Sequence, residues 1–187
     1  HIRILALIKL LYHYGGLLCP ISFFPMKKFL PIYNKYDAFV FRTLQRYDMY
    51  NSYVPSITFI AGKKNNVGIK NLMNHIESLE HNDFYNNLYF FKNVNRHIIE
   101  LTDKKEITII DGKINGVKTN KNENIYIHHL VENSEIKLSQ NAIGLYIPQE
   151  DLEERTNYNW ITYLSQRELM NSNTFIGKLF KTHTIEN

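Results

Sequence analysis

The sequence predicts an α/β or α+β fold, a mixed sheet with flanking helices, in one domain spanning residues 1–187. Two patterns point there. In the first two thirds, apolar residues at helical spacing alternate with short β-branched runs. In the last third, short strand-like pieces separated by turn residues take over. Composition agrees: 44% hydrophobic and 21% charged, with 8 glycines and 5 prolines, excludes disorder, collagen-like repeats and long flexible linkers. No internal repeat is visible.

The elements follow in order. Ile2 to Tyr14 is apolar on nearly every face, which predicts a helix buried in the core. Gly15-Gly16 ends it, glycine being the residue that closes a helix in the left-handed conformation. Leu17 to Phe24 reads as extended. Pro25 is suited to open a helix through Met26 to Leu30. Ala38 to Leu44 and Ser56 to Ala61 read as strands. Ile69, Leu72, Met73, Ile76 and Leu79 share one helical face. Asn82 or Asp83 is placed to cap the next helix, with Phe84, Leu88, Phe91, Asn95, Ile98 and Leu101 on its inner stripe. Glu106 to Asp111 reads as a strand. Asp111-Gly112-Lys113 is a turn into a hairpin partner, Ile114 to Lys118, followed by a polar loop, Thr119 to Asn124. Ile125 to Val131 is a strand or a short helix, and Gly144 to Ile147 a strand ended by Pro148. Glu150 to Arg155 reads as a helical turn, and Ser172 as the cap of a last helix bearing Phe175, Ile176, Leu179 and Phe180.

Net charge is +4 and the lysines fall in scattered pairs, Lys27-Lys28, Lys63-Lys64 and Lys104-Lys105. No basic run or nucleic-acid motif emerges. One cysteine, Cys19, excludes an intramolecular disulfide and a Cys-based zinc site. Its apolar surroundings predict an inert, buried thiol. The first eighteen residues are too short and too interrupted for a transmembrane segment, and no secretion signal is evident. An intracellular or virion location is the expectation. Because the chain opens on His1, we expect processing or a longer parent protein. Glu150, Asp151, Glu153 and Glu154 read as the acidic first turn of a helix, which the helix dipole favours. Trp160, among Tyr158, Ile161 and Tyr163, is expected to pack in the core.

No phosphate-cradling glycine loop, metalloprotease or hydrolase motif occurs. The informative string is Lys9-Leu10-Leu11-Tyr12-His13-Tyr14-Gly15-Gly16-Leu17-Leu18-Cys19-Pro20-Ile21-Ser22. It resembles the Asp-x-Asp sugar-transferase family, which includes initiating mannosyltransferases of the yeast type and the sugar-binding region of large clostridial toxins. In that family a helix ending in Tyr-Gly-Gly runs into a strand ending in Asp-x-Asp, whose carboxylates hold a divalent metal on the diphosphate of a nucleotide sugar. The resemblance implies a partial GT-A-like glycosyltransferase domain. It places Tyr14, Gly15 and Gly16 at the donor edge, and implies that the family's nucleotide-binding N-terminal half is absent from these residues.

The two aspartate positions hold Pro20 and Ser22, and the family's arginine eight residues before the first glycine is Leu7. Tyr126-Ile127-His128-His129 resembles the family's downstream Tyr-x-His-His segment, which implies His128 or His129 at the metal or diphosphate. If both lay on a strand they would face opposite ways, leaving one to serve. Segments 111–118 and 144–148 are similar to proteins of large DNA viruses that carry the Tyr-Gly-Gly helix without the aspartates.

Two functions follow from the resemblance. The first is a catalytically degenerate transferase-like domain without a cofactor, kept as a structural or interaction component among the other proteins of a larger assembly such as a virus particle. The alternative is an active glycosyltransferase using Mn2+ and a nucleotide sugar to move a hexose to a glycan or protein acceptor. Lys27, Lys28 or Arg42 would stand in for the metal if none is bound. A dedicated nucleic-acid module ranks last.

Overall fold

In the computed structural model the described residues are 2–47, 50–79, 87–148 and 157–185. The expected cap at Asn82 or Asp83, the contact of Phe84, and the acidic cluster Glu150, Asp151, Glu153 and Glu154 lie outside them. The backbone divides into two compact units, residues 1–21 with 28–111 and residues 22–27 with 112–187. Both mix helix and strand, and the main sheet is mixed, with helices against it.

The first unit opens with α1 (Ile2–Tyr14), then β1 (Gly16–Leu18), α2 (Leu30–Lys35), β3 (Ala38–Tyr47) and β4 (Tyr50–Gly62). There follow α3 (Val67–Ser78), α4 (Asn87–Asp103) and β5 (Thr108–Ile110); β2 (Phe23–Pro25) belongs to the second unit. The sheet order is β1-β4-β3-β5. β1 and β3 pair antiparallel with β4, while β5 runs parallel to β3. The parallel pair follows from the long return through α3 and α4, since a parallel neighbour needs a crossover. Between the pairs Val40–Ile60 and Arg42–Pro55, the single residue Phe41 of β3 stands opposite Ser56, Ile57, Thr58 and Phe59 of β4. Pro55 immediately precedes this bulge along β4, where its missing N–H is tolerated.

Alternation along β3 sends Ala38 and Val40 to one face, where they join Ile8, Leu11, Ile60, Ile69, Leu72, Ile76, Val94, Ile98 and Leu101 in the core beneath α1, α3 and α4. Phe39 and Phe41 go to the other face. There Phe41 lies tilted against Phe59 with ring centroids 4.2 Å apart, and Phe29 meets both Phe41 and Phe59 edge-on at 6.4 and 6.2 Å.

The second unit pairs β2 antiparallel with β6 (Gly144–Tyr146). It adds α5 (Ile127–Val131), a 3-10 turn at Asn159–Tyr163, α6 (Gln166–Asn171) and α7 (Phe175–Ile185). Its core joins Ile125, Ile127, Leu130, Leu145, Ile161 and Ile176.

Several expectations need correction. α1 is not buried all round: Ile8 and Leu11 are buried, but Ile2 is 83% and Leu10 53% exposed, because only one side of the helix meets α3 and β4. The run Leu17 to Phe24 splits into β1 and β2, which join different sheets. Pro25 ends β2, and the helix opens instead at Leu30 with Pro31 in its first turn. Ile114 to Lys118 makes no hairpin strand with Glu106–Asp111. It folds into consecutive turns in which Gly112 O accepts from the N–H groups of Val117 and Lys118. Ile125 to Val131 resolves as helix, with Ile125 and Tyr126 leading into it. Thr174, not Ser172, caps the last helix: its Oγ1 accepts from Gly177 N–H at 3.0 Å, while Ser172 Oγ donates to Leu169 O at the end of α6. Trp160 and Tyr163 lie exposed on the 3-10 turn, where Ile161 alone among its residues points into the core.

Candidate functional site

The Tyr-Gly-Gly segment is built by helix termination. Gly15 adopts φ +71° and its N–H donates to Leu11 O at 2.8 Å, closing α1 in the left-handed form. The loop before α3 adds a second contact, Asn65 N–H to Tyr12 O at 2.8 Å. Gly16, at φ +120°, then enters β1 opposite Gly62. A Cβ on Gly16 would meet nothing within 4 Å, so its backbone faces open space.

That opening belongs to a cleft of about 350 Å3 lined by Tyr14, Gly15, Gly16, Leu17, Phe29, Leu30, Tyr33 and Phe39. Tyr33 Oη donates to Gly62 O at 3.2 Å, which ties α2 to the end of β4. Phe39 forms a buried wall, 5.5 Å from Phe41 and 6.0 Å from Tyr36. Tyr14 and Leu30 are largely exposed at the mouth. Among the described residues no charged side chain lines the cleft. Its chemistry is that of an apolar, aromatic slot with two phenols, suited to a hydrophobic or ring-bearing group.

Tyr14, Gly15 and Gly16 line one side of this cleft. Phe29, Leu30, Tyr33 and Phe39 were not singled out. The available signal was Phe29 and Tyr33, four residues apart across Pro31, which helical spacing puts on one face.

Beyond Tyr14, one side of α1 is apolar and exposed. Ile2, Ala6, Leu10 and Tyr14 recur every fourth residue and all are exposed, forming an apolar ridge that ends at the cleft mouth. The other exposed residues of α1 are Arg3, Lys9 and His13, and Lys9 pairs with Glu77 at 2.6 Å.

Pro20 brings no ligand. Ser22 offers a hydroxyl, and its carbonyl accepts from Ile147 N–H at 2.9 Å. Cys19 is exposed as a residue, which corrects the expected burial. Its thiol is nevertheless desolvated enough to be pushed up to about 11, so it is protonated and unreactive at neutral pH.

In the second unit, His128 and His129 sit on α5. Successive helical residues are about 100° apart, so the rings are neighbours, with centroids 4.0 Å apart. His129 Nδ1 accepts from Tyr126 N–H at 3.1 Å and caps the helix. In the neutral ring Nε2 then carries the proton, leaving no free lone pair for a metal. Burial, and secondarily His128, lower the His129 pKa. His128 stacks parallel to the Tyr126 ring at 5.8 Å. Among the described residues no group of three or more His, Cys, Asp or Glu gathers as a metal site requires.

Comparison with family models, curated proteins and solved structures finds no match to this chain. No described helix is long and apolar enough to cross a membrane.

Proposed function

We propose that this chain is a glycosyltransferase-like domain that has lost its metal chemistry and serves as an interaction component of a larger assembly. The likeness to proteins of large DNA viruses makes a virus particle the assembly we favour. The observation that carries the reading is the cleft under Tyr14, Gly15 and Gly16. A donor site must meet a diphosphate with cations or converging N–H groups, whereas these walls are apolar and aromatic. The exposed ridge of α1 leads into the same cleft and offers a partner a continuous apolar track.

The residues do not fit manganese. That ion takes carboxylate, carbonyl and water oxygens, while the family's carboxylate positions hold Pro20 and Ser22 and the second candidate site offers imidazole. The alternative, an active transferase moving a hexose from a nucleotide sugar, rests on the open backbone of Gly16 and would have to proceed without that metal.

Titration calorimetry with UDP-glucose and GDP-mannose, each with and without manganese, separates the two. The interaction reading expects no heat up to about 1 mM donor. A photo-cross-linking residue in place of Leu10 is expected to trap one discrete neighbour in the assembly. Metal-dependent donor binding would reverse the conclusion.

A further inference from the structure

The seam between α3 and α4 carries two histidines that the function above does not use. His75 of α3 and His97 of α4 lie ring on ring, with centroids 3.9 Å apart and planes 16° from parallel. Each is anchored from one side. His97 Nδ1 lies 3.0 Å from Glu100 Oε2, and His75 hydrogen-bonds the Asn93 side chain. Asn93 Oδ1 also accepts from the Arg96 guanidinium at 3.1 Å. Nε2 of both rings is buried without a hydrogen-bond partner. A cavity of about 410 Å3 adjoins the pair, lined among others by Asn71, Asn74, Ser78 and Lys104.

Two imidazoles invite a metal, but near-parallel rings send their lone pairs side by side, and a shared ion needs them to converge. Glu100 occupies the opposite nitrogen of His97. Titration is the property that the geometry supports.

We infer that the His75–His97 stack is an acid-sensitive latch between α3 and α4, closed while the His75 ring is neutral and released as it takes up a proton. Two imidazolium rings at this separation repel each other. A proton added to His75 also turns its buried Nε2 from an acceptor into a donor with no acceptor in reach. From α4, Glu100 favours a proton on His75 while Arg96 opposes one; Lys104, just past that helix, lines the adjoining cavity. From α1, Lys9 is engaged with Glu77 of α3, and after α4 Glu106 is held by Asn71 at 2.6 Å. His75 bears the conflict: burial first, then His97, push its pKa below the usual 6.5. A depressed histidine pKa gives stability that is present in full above pH 6.5 and lost as pH falls through the folded value.

Imidazole NMR titration of the intact chain, with amide hydrogen exchange at several pH values, tests the latch. The His75 midpoint is expected below 6.5. Exchange of the α3 and α4 amides, corrected for its intrinsic pH dependence, should accelerate between pH 7 and 5 by about tenfold per pKa unit of depression. His75→Phe keeps a stacked ring that cannot titrate and should abolish that acceleration. His97→Gln should move the His75 midpoint upward, and serves if His75→Phe fails to fold. A wild-type midpoint at or above 6.5, an unchanged acceleration in His75→Phe, or an unmoved midpoint in His97→Gln overturns the latch.

Discussion

Gly15 holds a conformation that costs other residues about 1–2 kcal/mol, and a Cβ there would come within 2.8 Å of Lys64 N. Gly15→Ala should therefore destabilise the chain by about 2 kcal/mol, read as a lower urea midpoint. Cys19 gives a chemical prediction. With its thiol pushed up to about 11, alkylation by iodoacetamide should be slow at pH 7.5 and still climbing at pH 10; a plateau near pH 8.5 would contradict the desolvation. The glycine pair was legible in the sequence because helix ends have a small residue vocabulary. The Thr174 cap was not, because Ser172 and Thr174 satisfy the same local rule and only the position of Gly177 N–H separates them. Tyr126 N–H likewise turns His129 into a cap, an interaction that a strand reading of 125–131 conceals.

At the scale of the element, α1 is the sharpest case. Its apolar pattern gives no face away, yet α3 and β4 select Ile8 and Leu11 for burial and leave Leu10 outside. Ile8→Ala should cost about 2–5 kcal/mol, while Leu10→Ala should stay within about 0.5 kcal/mol; equal losses in chemical denaturation would refute the one-sided packing. In α6 the box is reciprocal: Ser165 Oγ accepts from Glu168 N–H at 3.3 Å, and Glu168 Oε2 accepts from Ser165 N–H at 2.8 Å. Ser165→Ala should cost about 1 kcal/mol in the same assay. The stripe of α3 was readable because its apolar residues fall on one face. α2 was misplaced because Pro25 and Pro31 are equally good first-turn residues. The choice is made by β6, whose pairing with Phe23–Pro25 claims the earlier proline for a strand.

At the scale of the molecule, the chain crosses between its units, residues 22–27 leaving the first to join the second. An interaction role for the first unit predicts that surface changes leave the fold intact. Leu30→Asp, at the exposed cleft mouth, should change stability by no more than about 0.5 kcal/mol while weakening capture of a neighbour through a cross-linker at position 10. A large stability loss would show that Leu30 serves the core instead. By itself the sequence determined what nearest neighbours decide: the end of α1 at the glycine pair, the stripe of α3, and the strand character of β3 and β4. These follow from spacing along the chain and from the conformations open to each residue. Only the tertiary structure decided which apolar face is covered and which proline opens a helix. It also brought Phe29, Tyr33 and Phe39 to the glycine pair, and His75 to His97. Those outcomes depend on segments distant in sequence meeting in space, and no local pattern encodes a contact between residues that far apart.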